Sequence, residues 1–220
     1  MFTGIIEATG VISTLKRSGT DAVITINSGA LDLTDVKLGD SIATNGVCLT
    51  VTALTHQSFS ADISGETLKR TTFASAKTQT PVNLEKAMLL TTRLGGHMVS
   101  GHVDGVASVV RKNPVGKATE LWLDAPSALS RYIAEKGSVT VDGISLTVNA
   151  VEGSQFMLTI VPHTSGETTI ENFSVGSTVN LEVDIVARYI ERMLGLADDK
   201  AQPKAQTGVT MDLLASSGFL

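Results

Sequence analysis

Cysteine occurs once in this chain of 220 residues, at Cys48, which excludes an internal disulfide framework and fits a reducing compartment. Aromatic residues are few, at 4%. No basic excess exists: 17 Lys and Arg stand against 22 Asp and Glu, so no positive stripe is available and nucleic acid is not an expected partner. No apolar run approaches the ~18 residues that span a bilayer, and no membrane association is expected. The opening stretch MFTGIIEATG lacks a positive n-region and meets Glu7 almost at once, so it does not read as a signal peptide. A cytoplasmic protein is the expectation. There is no GxGxxG, P-loop or GxSxG motif. His97, His102 and His163 form no HxH or HxxxH pair, so no metal site is expected.

What is present is a repeated phrase. NGVCLTV at Asn45 to Val51 returns as DGISLTV at Asp142 to Val148, an offset of 97 positions. The same offset places Gly4 on Gly101, Ser41 on Ser138, Phe59 on Phe156, Ile63 on Ile160 and Thr67 on Thr164. It also returns VNLE, Val82 to Glu85, unchanged as Val179 to Glu182. One offset without a gap over this length is a duplication. Its period is too long for a solenoid unit and is that of a whole small domain. The chain therefore divides into repeats over 1–97 and 98–184, followed by 185–196 and a tail over 197–220.

Valine, isoleucine and threonine are abundant, which favours strands. The first copy reads as strands over 4–15, 22–27, 41–44, 47–54, 58–63 and 82–86. The second reads as strands over 101–111, 119–124, 138–141, 145–151, 155–160 and 178–184. Six short strands per copy at this spacing predict a closed or sandwiched antiparallel unit, a mainly β protein. Short helical pieces fit 66–72 and 128–133. Over 185–196, Ile185, Val186, Tyr189, Ile190, Met193 and Leu194 recur at helical spacing, an amphipathic helix whose apolar face must bury on its own barrel or on another subunit. ADDKAQPKAQTG beyond it reads as a flexible polar linker, and the terminal VTMDLLASSGFL supports no assignment.

Strand alternation sorts the repeated phrase into two faces. Val47, Leu49 and Val51 share one face, as do Ile144, Leu146 and Val148, and both triplets read as core. The opposite faces carry Cys48 with Thr50, and Ser145 with Thr147. Asn45-Gly46 and Asp142-Gly143 are turn dipeptides that fix those faces. A lone cysteine is more often a small buried hydrophobe, and His163 fits a surface turn equally well. His102 sits between glycines that allow backbone to approach a ligand. The duplication adds that two equivalent pockets should take two similar ligands. The copies then differ where the chemistry differs: Cys48 against Ser145, Ile5 against His102, Glu66 against His163, Asn45 against Asp142.

MFTGIIEATG, NGVCLTV, GGHMVSGHVDG, DGISLTV and VPHTSGETT together resemble the alpha-type riboflavin synthases, over about residues 1–196. The resemblance implies two similar six-stranded Greek-key barrels and a C-terminal helix through which chains form a homotrimer. It implies the last step of riboflavin biosynthesis, a transferase reaction needing no metal or organic cofactor. Two molecules of 6,7-dimethyl-8-ribityllumazine exchange a four-carbon unit to give riboflavin and 5-amino-6-ribitylamino-pyrimidinedione. The alternative is a non-catalytic lumazine- or flavin-binding protein of the same fold. Two substrates would meet between the N-terminal barrel of one subunit and the C-terminal barrel of its neighbour.

Carried onto this sequence, the resemblance implies an N-terminal pocket of Gly4, Ile5, Ile6 and Ser41, with Cys48, Leu49 and Thr50. Asp62, Ile63, Ser64, Gly65, Glu66 and Thr67 would complete it, and Phe2 would wall it. The C-terminal pocket would use Gly101, His102, Val103 and Lys136, with Ser145, Leu146 and Thr147. Ile160, Val161, Pro162, His163, Thr164 and Ser165 would complete that one. His102 is the candidate for proton transfer, because imidazole titrates near neutrality. Ser145, Thr147 and Cys48 would supply nucleophilic or hydrogen-bonding groups. Lys136 would offset negative charge developing on the ring, and Asp184 would orient Ser145 or a water.

Overall fold

The computed structural model describes residues 1–195 together with 216–217. Residues 1–187 form one compact unit, which holds the twelve strands found among the described residues; the described remainder of the chain belongs to a second. The first barrel comprises β1 (Ala8–Ser18), β2 (Asp21–Asn27), β3 (Ser41–Thr44), β4 (Val47–Leu54), β5 (Ser58–Ile63) and β6 (Pro81–Lys86). The second comprises β7 (Gly105–Val115), β8 (Ala118–Asp124), β9 (Ser138–Val141), β10 (Ile144–Glu152), β11 (Gln155–Ile160) and β12 (Thr178–Val183). Each closes on itself, in the order β1-β2-β5-β4-β3-β6 and, six strands on, the same order again. The chain leaving β2 passes β5 and β4 to reach β3, and the return of β5 beside β2 makes each a Greek key. Even the bulges repeat, at Ile12/Thr14 and Val109/Arg111, and at Val51/Ala53 and Val148/Ala150. Extra residues there tighten the twist by which short strands close a barrel.

Each core holds inward-facing aliphatics and two buried phenylalanines, Phe59 and Phe73 in the first and Phe156 and Phe173 in the second. The short helices are α1 (Gly65–Arg70), α2 (Ser127–Ser130) and α3 (Pro162–Glu167), and α1 and α3 are each followed by a 3-10 turn. The last, α4 (Ile185–Leu194), has no buried residue. No described helix is long and apolar enough to cross a membrane. The tail over 197–220 lies outside the described residues, apart from 216 and 217.

The VNLE repeat explains how the barrels join. Val82 and Leu84, like Val179 and Leu181, point into their cores. The alternate face is buried as well, because the barrels pack there. Asn83 Nδ2 donates to Asp142 O at 3.0 Å and Asn180 Nδ2 donates to Asn45 O at 2.8 Å. Asn83 Oδ1 accepts from Thr169 N (2.8 Å), and Asn180 Oδ1 from Thr72 N (2.7 Å). The two asparagines thus exchange equivalent bonds about an approximate two-fold axis. The turn glycines Gly46 and Gly143 face each other on it. A Cβ on either would meet the other's backbone nitrogen, at 2.8 and 2.7 Å.

The first strand of each copy starts later than its sequence suggests, at Ala8 and Gly105 rather than Gly4 and Gly101. Those leading residues leave their own barrel instead. Phe2 bridges Val99, with Phe2 N donating to Val99 O at 2.8 Å. Both segments then run onto the opposite barrel.

Candidate functional site

The phrase that opened the duplication sits as alternation requires. Val47, Leu49 and Val51 are buried, as are Ile144 and Val148, with Leu146 half-buried. On the other face Cys48 and Ser145 are half-buried, and Thr50 and Thr147 are exposed. Thr50 pairs across the ladder with Ser41, and Thr147 with its counterpart Ser138. β4 meets β5 with Val51 opposite Ala61, so Cys48–Thr50 and Asp62–Ser64 run on together at one end of the barrel. Val148 opposite Leu158 does the same for Ser145–Thr147 and Thr159–Val161. Gly65, Glu66 and Thr67 lie in α1, capped by Ser64, and Pro162, His163, Thr164 and Ser165 lie in α3. Glu66 is exposed and held by Arg70 at 2.9 Å, whose hydrogen bond lowers its pKa.

The leading segments are exchanged relative to the grouping expected from sequence. Gly4 O accepts from Ser145 N, and Gly101 O accepts from Cys48 N, both at 2.8 Å. Ile6 packs against the core of the second barrel and Val103 against that of the first. Gly4, Ile5 and Ile6 therefore accompany Ser145, and Gly101, His102 and Val103 accompany Cys48. Glycine is needed at both crossings. Gly4 and Gly101 have φ of +75° and +79°, and an added Cβ would come within 2.6 Å of Ser145 Cβ or 2.7 Å of Cys48 Cβ.

Further placements differ from expectation. Phe2 is fully buried against Ala43 and Val99, with Cys48 beside it, so it is core at the crossing rather than an open wall. Asn45 and Asp142 lie in the seam between barrels, accepting from Asn83 N and Asn180 N at 2.7 Å each. That difference between copies is structural. Burial drives the Asp142 carboxyl up to about 7, against the hydrogen bond from Asn180. Lys136 is exposed in the turn before β9 with φ +65°, where the first copy has Gly39 at φ +90°. A lysine held in the left-handed region costs roughly 1 kcal/mol that glycine avoids. Asp184 does not bond Ser145; its carboxylate accepts from Val186 N at 2.9 Å and caps α4.

Three groups escaped the sequence reading. His97 Nδ1 lies 2.7 Å from Ser145 Oγ. Burial lowers the pKa of this imidazole and the charge of Asp184 opposes that shift, which favours a neutral ring. With its proton on Nε2, the ring accepts from the serine hydroxyl. Among the described residues Cys48 has no equivalent partner, and the 97-residue offset that relates the copies puts Leu194 at the position of His97. The neighbouring GG of GGHMV was the available signal: a Cβ on Gly96 would meet Ser145 Cβ at 2.7 Å. The other two are Glu85 and Glu182. Desolvation raises the pKa of each, and three hydrogen bonds from the leading segments oppose it. Among the described residues no three His, Cys, Asp or Glu are grouped to hold a metal.

A cleft of about 700 Å³ takes in Thr3, Ile5 and Ser41, yet Cys48, Ser145 and His102 do not line it. Cys48 and Ser145 are half-buried, whereas Thr50, Thr147 and His102 beside them are exposed.

Two copies of the lumazine binding domain match the sequence, over residues 3–87 and 100–184. The chain is 59% identical to the riboflavin synthase of Photobacterium phosphoreum across the whole of both chains. The chain belongs to the riboflavin synthase family. Members from Photobacterium leiognathi and Bacillus subtilis are 51% and 41% identical, covering 97% and 100% of both chains. Family likeness extends to fold: LumP, solved in complex with riboflavin, superposes with a TM-score of 0.77 at 23% identity, over 84% of this chain and all of LumP.

Proposed function

We propose that the chain carries out the reaction for which its family is named. Two molecules of 6,7-dimethyl-8-ribityllumazine dismutate: one donates a four-carbon unit, the other accepts it as riboflavin, and the donor remains as 5-amino-6-ribitylamino-pyrimidinedione. Because one substrate is oxidised at the expense of its twin, no external oxidant or reductant is called for. The observation that carries this reading is the pair of equivalent seats, one around Cys48 with Gly101–Val103 and one around Ser145 with Gly4–Ile6. Identical scaffolds suit identical molecules, and their unlike polar groups suit unlike fates.

Ser145, with His97 as proton acceptor, supplies an oxygen able to add at, or hydrogen-bond to, an electrophilic ring carbon. His102 is exposed beside the Cys48 seat and is the proposed carrier of the proton removed from a ring methyl group. Lys136 offers positive charge to the resulting anion, and Thr147 and Thr50 offer hydroxyls. Asp184 acts through the field it exerts on His97. Holding two rings in register removes the entropy of their encounter.

The exposed Thr50 and His102 beside Cys48, and the exposed Thr147 beside Ser145, support a site completed by a second copy. In this reading three chains assemble through α4, bringing the Cys48 seat of one against the Ser145 seat of another. The apolar spacing of Ile185, Val186, Tyr189, Ile190, Met193 and Leu194 supports that contact.

Purified protein incubated with dimethylribityllumazine should convert it to riboflavin, followed by absorbance. Ligand retained without conversion would instead establish a binding protein, and absence of binding would refute both. His102→Gln should lower turnover by about 10²-fold or more with melting temperature unchanged; near-normal turnover would remove His102 from the chemistry. Ile190→Lys with Met193→Lys should give monomers without turnover in sedimentation and assay, and an active monomer would refute the shared site.

A further inference from the structure

Each seat is held from the other barrel by a buried carboxylate that touches neither Cys48 nor Ser145. Glu85 stands on β6 of the first barrel and is 4% exposed. Its Oε1 accepts from Thr3 N (2.6 Å) and Thr3 Oγ1 (2.7 Å), and its Oε2 accepts from Gly4 N (3.0 Å). Gly4 O then accepts from Ser145 N on β10 of the second barrel, at 2.8 Å. Glu182 on β12 repeats this in the opposite sense. It takes Ser100 N and Oγ on Oε1, both at 2.7 Å, and Gly101 N on Oε2 at 3.1 Å. Gly101 O in turn accepts from Cys48 N of the first barrel, at 2.8 Å.

We propose that Glu85 and Glu182 are crossed positioning residues: Glu85, in the first barrel, sets the Ser145 seat of the second, and Glu182, in the second, sets the Cys48 seat of the first. The ligand-related part of this rests on the function proposed above; the crossing itself does not.

The chemistry of the clamp supports a directional role. A carboxylate accepts on both oxygens, so each one receives three donors at once and fixes the plane of the Gly4 or Gly101 peptide. A glutamine at either place keeps one accepting oxygen and turns an NH2 group toward an N–H or O–H donor. The glycines need this restraint, since their left-handed backbone holds the crossing segment against Cys48 or Ser145 with no side chain to anchor it. The segment beyond each glycine then places Ile5 in one seat and His102 in the other. His102 N donates to Ser100 Oγ at 3.2 Å, and that hydroxyl donates to Glu182. The imidazole of one seat is thereby positioned from the opposite barrel.

Cys48, the sole cysteine, reports on one seat without any ligand. Glu182→Gln should raise the rate at which Cys48 reacts with a chromogenic aromatic disulfide by about fivefold or more, since the covering segment opens locally. Glu85→Gln should leave that rate within about twofold. In a Cys48→Ala, Ser145→Cys background the pattern should reverse, with Glu85→Gln exposing the new thiol and Glu182→Gln sparing it. Glu85→Asp and Glu182→Asp, which keep the charge but shorten its reach, provide the same comparison if a glutamine variant fails to fold. Equal effects of both substitutions on both thiols, or a larger effect within the same barrel, would overturn the proposal. Riboflavin titration by fluorescence quenching adds the functional arm. Glu85→Gln should weaken binding non-additively with Ser145→Ala and additively with Cys48→Ala, and Glu182→Gln the reverse. A crossed thiol pattern in a protein that binds no riboflavin would preserve the clamp and refute the function.

Discussion

The two barrels share their scaffold and differ in their fittings. Asn83 and Asn180, Glu85 and Glu182, Gly4 and Gly101, and Gly46 and Gly143 are identical pairs, and all of them make contacts between the halves. Cys48 against Ser145, Ile5 against His102, Glu66 against His163 and Gly39 against Lys136 are among the unlike pairs around the seats. Fusion of two copies therefore constrained the surface by which they bind each other and left the open faces free to diverge. Asn45 against Asp142 and Thr44 against Val141 are exceptions, since both differences are buried. They show where one half tolerates a less favourable residue than the other.

The largest test of that equivalence is Gly4→Ala beside Gly101→Ala. Each should cost roughly 2 to 4 kcal/mol, from left-handed strain plus overlap with the opposite strand. Denaturant midpoints that fell for one variant only would show that the crossings are not equivalent.

Asp142→Asn makes the second half match the first. In the unfolded chain this carboxyl ionises near its ordinary ~3.9, whereas in the folded protein it keeps its proton to about 7. Below the lower value both states hold the proton and the stabilisation is complete. As pH rises between the two, the unfolded state sheds its proton first and stability falls; above the upper value the loss is complete. Urea midpoints from pH 5 to 8 should fall less steeply for Asp142→Asn, which should be the more stable protein at pH 8 by a few kcal/mol at most. Parallel curves would show that Asp142 ionises in place without penalty. Glu85 and Glu182 act in the same direction in both proteins, so the difference between curves isolates Asp142.

Thr44→Val is the smallest change. Thr44 is fully buried and its hydroxyl meets no hydrogen-bond partner among the described residues, while the second barrel has Val141 there. The variant should gain about 1 kcal/mol in thermal unfolding. A loss would show that the hydroxyl is satisfied in solution.

The duplication, the strands and the two-faced phrase were legible in the sequence because they depend on local spacing. The strands at Ser41–Thr44, Val47–Leu54 and Gln155–Ile160 begin and end where turn residues and alternation place them. Family membership followed from the same motifs. Alternation also separated Cys48 and Ser145 from the core side chains beside them. It could not show that Asn83 and Glu85 are buried too, since a polar residue on the outer face of a strand reads as solvent-exposed until a second barrel covers it. Only the tertiary structure decided that the leading segments cross over, that Gly4 belongs with Ser145 and Gly101 with Cys48, and that His97 reaches Ser145. A repeat offset is the same whether a segment docks on its own copy or on the other, so the choice rests on contacts between distant parts of the chain, which periodicity does not encode.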